Sequence, residues 1–139
     1  MEIKFTVQGA PAGKGRPRFA RRGTCVSVYT PEKTVDYENL IKFHARKAMY
    51  EKEIMTGPVE MRLLICVPIP ASWSQKKRIA ACAGETLPTI KPDADNVFKV
   101  CADALNGIVY ADDRQITDIH ISKRYSEMPR IEVIILEGV

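Results

Sequence analysis

From Val59 to Val67 the chain alternates without a fault: Val59, Met61, Leu63, Ile65 and Val67 are apolar, and every second side chain points to one face. A period of two is the signature of a strand with a buried face, and Pro68 and Pro70 end it. Residues 2–8 repeat the pattern on a shorter scale, with Ile3, Phe5 and Val7 against Glu2, Lys4, Thr6 and Gln8. Between these strands the period changes. Thr30-Pro31-Glu32 reads as a helix start, Thr as N-cap and Pro at the first position. Tyr37, Leu40, Ile41, His44, Ala45 and Ala48 then recur at helical spacing, so a first helix is expected over residues 31–50, broken off at Gly57-Pro58.

Residues 9–23 are rich in Gly, Pro and Arg and read as a loop, with a short strand after it from Cys25 to Val28. Ser72 or Ser74 caps a short helix through Ala83, which Gly84 stops. Residues 85–92 form a loop, Asp95 to Leu105 a further helix, and Asn106-Gly107 a turn. Gln115 to Lys123 and Arg130 to Leu136 read as closing strands, paired antiparallel across residues 125–129. Strands and helices alternate only in part. The expected fold is an α/β single domain over residues 1–139, a mixed β-sheet with helices packed against it.

The chain has 139 residues and a net charge of +4. No apolar run approaches the roughly 18 residues that span a membrane, and the alternating start is no signal peptide. Cys25, Cys66, Cys82 and Cys101 lack CxxC spacing and read as reduced core or near-core residues of a cytoplasmic protein. With His44 and His120 far apart, nothing suggests zinc. There is no GxxxxGK[ST] loop and no recognisable Ser or Cys nucleophile motif, which sets aside the P-loop NTPases. The positive charge is clustered. Lys14, Arg16, Arg18, Arg21 and Arg22 fall in an acid-free stretch, and Lys76-Lys77-Arg78 forms a second cluster. Either alone suits a solvated loop; beside an acidic site the two suggest a phosphate-backbone partner.

That acidic site lies in Lys91-Pro92-Asp93-Ala94-Asp95-Asn96-Val97-Phe98-Lys99, followed by Asp103 and Asp112-Asp113. In the helix from Asp95, Phe98, Cys101, Ala102 and Leu105 form an apolar face. Asp95, Lys99 and Asp103 form a narrow polar stripe at i, i+4, i+8. Converging carboxylates hold a hard divalent cation such as Mg²⁺, or Mn²⁺ in its place. A lysine one turn away can stabilise developing charge on a phosphate. Plainer roles compete. Asp93 and Asp95 can cap the helix, Lys99 can pair with Asp95 or Asp103, and Asp112-Asp113 can be a polar turn. Residues 106–113 are long enough to return toward the helix start, so convergence is feasible.

These residues resemble the RusA family of Holliday-junction resolvases. The matching pattern is Pro92-Asp93-x-Asp95-Asn96-x-x-Lys99-x-x-x-Asp103-x-Leu105, then Asp112-Asp113-x-Gln115-Ile116, with Lys123 in the following strand and Pro11-x-x-Lys14-x-Arg16-Pro17-Arg18 as the basic entry loop. The resemblance implies that Asp93, Asp95 and Asp113 are magnesium-binding catalytic carboxylates, with Asp112 an adjacent candidate, and that Lys99 is the catalytic lysine. Lys14, Arg16, Arg18, Arg21, Arg22, Lys76 and Lys77 are the expected nucleic-acid contacts. The resemblance further implies a homodimer that nicks four-way DNA junctions symmetrically, leaving 5′-phosphates. Residues 70–90 match it less closely. Two other readings stand beside it: a non-catalytic basic nucleic-acid-binding module, and a DxD nucleotide-sugar transferase, for which the chain is short and lacks a Gly-rich turn.

Overall fold

The computed structural model describes residues 1–14, 18–22, 25–29 and 32–138, with side chains over 1–14 and 32–138. Within them the strands are β1 (Glu2–Gln8), β2 (Arg18–Arg22), β3 (Cys25–Tyr29), β4 (Val59–Pro68), β5 (Ile116–Ser126) and β6 (Arg130–Glu137). The helices are α1 (Glu32–Ala48), α2 (Gln75–Cys82) and α3 (Ala94–Ala104), with a 3₁₀ turn at Asp113–Gln115. The architecture is the expected one, a mixed sheet with helices against it.

The main sheet runs β1-β6-β4-β5. β6 is antiparallel to both β1 and β4, whereas β4 and β5 are parallel. A parallel pair needs a crossover, and α2 and α3 supply it. The antiparallel hairpin expected of the two closing strands is therefore not formed, because β4 lies between β5 and β6. The reason is burial. β4 carries Leu63-Leu64-Ile65-Cys66-Val67, with Ile65, Cys66 and Val67 in sequence all buried, and such a run belongs at a sheet centre. β5 carries Thr117, Asp118, His120, Ser122 and Arg124, which suit an edge.

Two further expectations change. Part of the stretch read as a loop over 9–23 is strand: β2 pairs antiparallel with β3, Arg18 opposite Tyr29 and Arg22 opposite Cys25. Its composition, Arg-Phe-Ala-Arg-Arg, hides the strand because charges stand at most positions. The cysteines are not all core residues: Cys66 and Cys101 are buried and free, but Cys82 is exposed. The expected cap at Thr30-Pro31 lies outside the described residues.

The core forms on one face of the sheet. Ile3, Phe5 and Val7 of β1, Met61, Leu63, Ile65 and Val67 of β4, and Ile131, Val133 and Ile135 of β6 meet Tyr37, Ile41 and Ala45 of α1. Val97, Val100, Cys101, Ala104 and Leu105 complete it from α3 and its end. α3 thus packs against both the sheet and α1, which fixes where its polar stripe emerges.

Candidate active site

α3 begins at Asp93, the N-cap residue, with φ −67° and ψ 140°. Its backbone carbonyl accepts the first helical bond, from the Val97 N–H at 3.1 Å, but its side chain makes no capping bond. A carboxylate at an N-cap ordinarily accepts from the N2 or N3 amide. Here the carboxylates of Asp93 and of Asp95, two residues on, both stay exposed at the positive end of the helix. The capping role left open by the sequence is thus not taken by the Asp93 side chain.

Three contacts hold this helix start in place. The Lys123 ammonium donates to the Pro92 carbonyl at 2.9 Å and also to the Ile90 carbonyl. Lys123 sits on β5 in register with Ile65, on the face where Ile121 and Tyr125 also lie. The Lys14 N–H donates to the Asn96 carbonyl at 3.0 Å. Gly13 makes that approach feasible: a Cβ there would stand 2.8 Å from the Asn96 Cβ, a clash. Gly13, Lys14, Lys91, Pro92, Asp93 and Asn96 line a small depression of about 270 Å³ at the helix start.

The polar stripe ends at Asp103. Its carboxylate takes the Lys14 ammonium on Oδ2 and the Lys99 ammonium on Oδ1, the latter at 3.3 Å. Of the two plain partners the spacing offered Lys99, the structure has Asp103. Beyond it, Tyr110 is fully buried and its hydroxyl donates to the Ala102 carbonyl at 2.7 Å. Burial pushes the Tyr110 phenol well above its ordinary range, and nearby acidic groups, Asp113 foremost and Asp103 and Asp112 with it, push it further.

Asp112 caps the 3₁₀ turn. Its Oδ1 accepts from the Arg114 N–H at 2.9 Å, and its own N–H donates to Gln115 Oε1 at 3.0 Å. Gln115 Nε2 in turn donates to the Met55 and Gly57 carbonyls at 3.0 and 2.9 Å. The Arg114 N–H holds the Asp112 carboxyl below its ordinary range, opposed by desolvation and helped by a hydrogen bond with Asp113 and the Arg114 charge. Asp112 is therefore occupied by the turn, while Asp113 beside it has no capping task.

The structure thus gathers the acidic residues in two groups along α3. Asp93 and Asp95 stand at its start and Asp103 near its end, and Asp103, Asp112 and Asp113 all act electrostatically on the Tyr110 phenol. At ~1.5 Å per residue, Asp95 and Asp103 are about 12 Å apart along the axis. Among the described residues, no three His, Cys, Asp or Glu side chains are grouped to hold a metal ion. The donor type suits Mg²⁺, but the single chain does not close a three-carboxylate cup around one.

Of the expected nucleic-acid contacts, Lys14 is tied to Asp103. Arg18, Arg21 and Arg22 lie on β2, their side chains outside the described residues, as is Arg16 altogether. Lys76 and Lys77 open α2, where Ser74 Oγ accepts from the Lys77 N–H at 3.3 Å. The Lys77 ammonium sits 4.0 Å from the Trp73 ring centroid, and Trp73 packs edge-on against Tyr125. Sequence reasoning missed what Gly13, Lys123 and Tyr110 do. Lys123 left a signal, a cation at an inward position of an apolar strand face; Gly13 left none.

The matched family is described as Endodeoxyribonuclease RusA, and the match runs over residues 8–136. The chain is also 43% identical over 137 residues to the uncharacterized protein YqaN of Bacillus subtilis (strain 168), covering 97% of this chain and 96% of that one. RusA family nucleases are in general dependent on a divalent metal and act on branched DNA. With a match over nearly its whole length, this chain belongs to the RusA endodeoxyribonuclease family.

Proposed function

We propose that this protein is a Mg²⁺-dependent, structure-selective endonuclease. It resolves four-way DNA junctions by paired symmetric nicks in recombination and repair, as a homodimer in the cytoplasm. The observation that carries the reading is the exposed Asp93/Asp95 pair at the α3 start, with the Asp93 carboxylate unused by the cap. Asp93 and Asp95 would take up the metal at the α3 start, and Asp113, with Asp112 beside it, would complete the set once the two groups are brought together in the assembled enzyme; the bound metal would polarise a phosphoryl oxygen and acidify a water.

The chain's own residues do the rest. Lys14, Arg16, Arg18, Arg21 and Arg22, with Lys76 and Lys77, contact the phosphate backbone and position the duplex arms. Lys99 exchanges its Asp103 partner for a phosphate oxygen and meets the charge that develops there. Lys123 keeps the loop before Asp93 in register. A four-way junction has approximate two-fold symmetry, so paired nicks ask for two sites related by a matching axis, which a C₂ dimer supplies.

The test is nicking of a synthetic four-way junction with Mg²⁺ against EDTA. Full activity in EDTA disposes of the metal. Tight binding with no cleavage in Mg²⁺ favours instead a non-catalytic binding module. Two observations lend that reading weight: Asp112 is occupied by its turn, and Asp103 by two lysines.

A further inference from the structure

The two edges of the sheet are finished differently. On β1 the inward residues Ile3, Phe5 and Val7 are almost wholly buried, because α1 covers them. β5 is longer, at 11 residues, and its inward side is covered at Tyr125 and in part at Ile121 but left open at Ile119. Ile119 lies in register with the fully buried Met61 yet is 47% exposed. Asp118, His120, Ser122 and Arg124 of the opposite side are exposed as well. Among the described residues β5 has a sheet neighbour on one side only, β4, so the amides and carbonyls of its other edge form an open template for a further strand.

The residues along this edge are self-complementary. An antiparallel second β5, related by a two-fold axis normal to the sheet, keeps like faces together. With Ile121 on the axis, residues whose numbers sum to twice 121 lie opposite each other. Asp118 then faces the partner's Arg124, and by symmetry Arg124 faces the partner's Asp118. Ile119 faces the aliphatic stem of the partner's Lys123, and His120 the partner's Ser122. In the isolated chain, neither Asp118 nor Arg124 has an ion-pair partner among the described residues. The Asp118 carboxylate accepts only from its neighbour Thr117, at 3.1 Å, and Arg124 donates to the adjacent Lys123 carbonyl at 2.9 Å. Shifting the register by two residues either way loses both charge pairs.

We infer that β5 is the self-association edge of this protein: a second copy pairs with it antiparallel about Ile121, joining two four-stranded sheets into one. The inference rests on the paired-enzyme reading for its purpose but is tested without DNA. Sedimentation equilibrium is run on the wild type, on Asp118→Arg, on Arg124→Asp and on the double variant, with circular dichroism to verify folding. Each single reversal turns two attractive cross-strand pairs into two repulsive ones and should loosen the dimer by ~10-fold or more. The double variant restores opposite charges and should return to within about threefold of wild type, a recovery that a merely local structural role does not produce.

A monomeric wild type, singles that assemble as well as wild type, or a folded double variant that stays apart would each overturn the inference. Hydrogen exchange gives a second measure: β5 edge amides should be slowed as protein concentration rises, and fast exchange at every concentration would also overturn it. A chain that dimerises through β5 but never nicks a junction sinks the nuclease reading alone. One that nicks junctions as a monomer sinks the inference alone.

Discussion

Lys14 and Asp103 stand 89 positions apart in sequence and are joined by an ion pair. The contact ties the basic N-terminal segment to the polar stripe of α3, on the same carboxylate that holds Lys99. Two of the cations expected to meet DNA phosphates are thus held by one acid, and substrate binding must compete with that acid for them.

Asp103→Asn tests this competition. The change keeps the shape and removes the charge. Junction affinity should rise, because two lysines are released and one negative charge is lost near the DNA. The fold should lose about 1 kcal/mol or less, the usual worth of partly exposed pairs. Binding across a salt series, with a thermal melt, measures both. Unchanged or weaker affinity would show that Asp103 does not hold these lysines back from DNA.

Asp95→Asn should abolish cleavage and leave junction binding intact. The substitution removes one negative charge from the α3 start and keeps an oxygen at the same place. Near wild-type cutting in Mg²⁺ would remove Asp95 from the mechanism.

Lys99→Ala should lower the single-turnover cleavage rate by about 10²–10³-fold, by analogy with removing one charge-stabilising donor. As a plain i, i+4 partner of Asp103 the residue is worth only about 0.3–0.5 kcal/mol. Single-turnover cleavage at saturating enzyme, with a melt alongside, separates the two. A variant that melts earlier yet cuts normally assigns Lys99 to the scaffold.

Lys123→Met keeps the aliphatic stem but leaves the Ile90 and Pro92 carbonyls without their donor. Cleavage should fall more than junction affinity, since Asp93 directly follows the released segment. Lys123→Arg should recover part of the rate, because a donor is returned. Equal losses in both variants would mean that any change of stem, and not the donated bonds, decides the outcome.

Tyr110→Phe should cost about 1 kcal/mol, the net worth of the lost bond to the Ala102 carbonyl. It should also change the alkaline limb of the stability curve. The folded phenol titrates above its unfolded range, so the unfolded chain loses its proton first and stability falls as pH rises beyond about 10. That stabilising contribution is fully present below the unfolded pKa. Melts from pH 8 to 11 should show a shallower alkaline decline for Tyr110→Phe, and identical slopes would contradict the account.

The elements themselves were legible because their causes are local. Alternation in 2–8 and 59–67 marks β1 and β4 within a residue at each end, since a strand's faces are set by neighbours two apart. The apolar face of α3 and the Asp95-Lys99-Asp103 stripe follow from helical period in the same way, and of the two caps the sequence offered α2, Ser72 and Ser74, the structure uses Ser74. β2 escaped because local composition spoke against it. Adjacency in sequence likewise favoured a hairpin of β5 with β6, and only competition among all strands for the sheet centre places β4 between them. The same holds for the site. Residue types and spacing pointed to Asp93, Asp95, Lys99 and the Asp112-Asp113 pair, and the family resemblance singled out Asp113 within that pair. Whether the Asp93 carboxylate caps its helix, which acid Lys99 takes, and where Lys14 is held depend on backbone angles and on contacts up to 89 residues apart. Those contacts are chosen when the sheet and helices pack, so no local pattern records them.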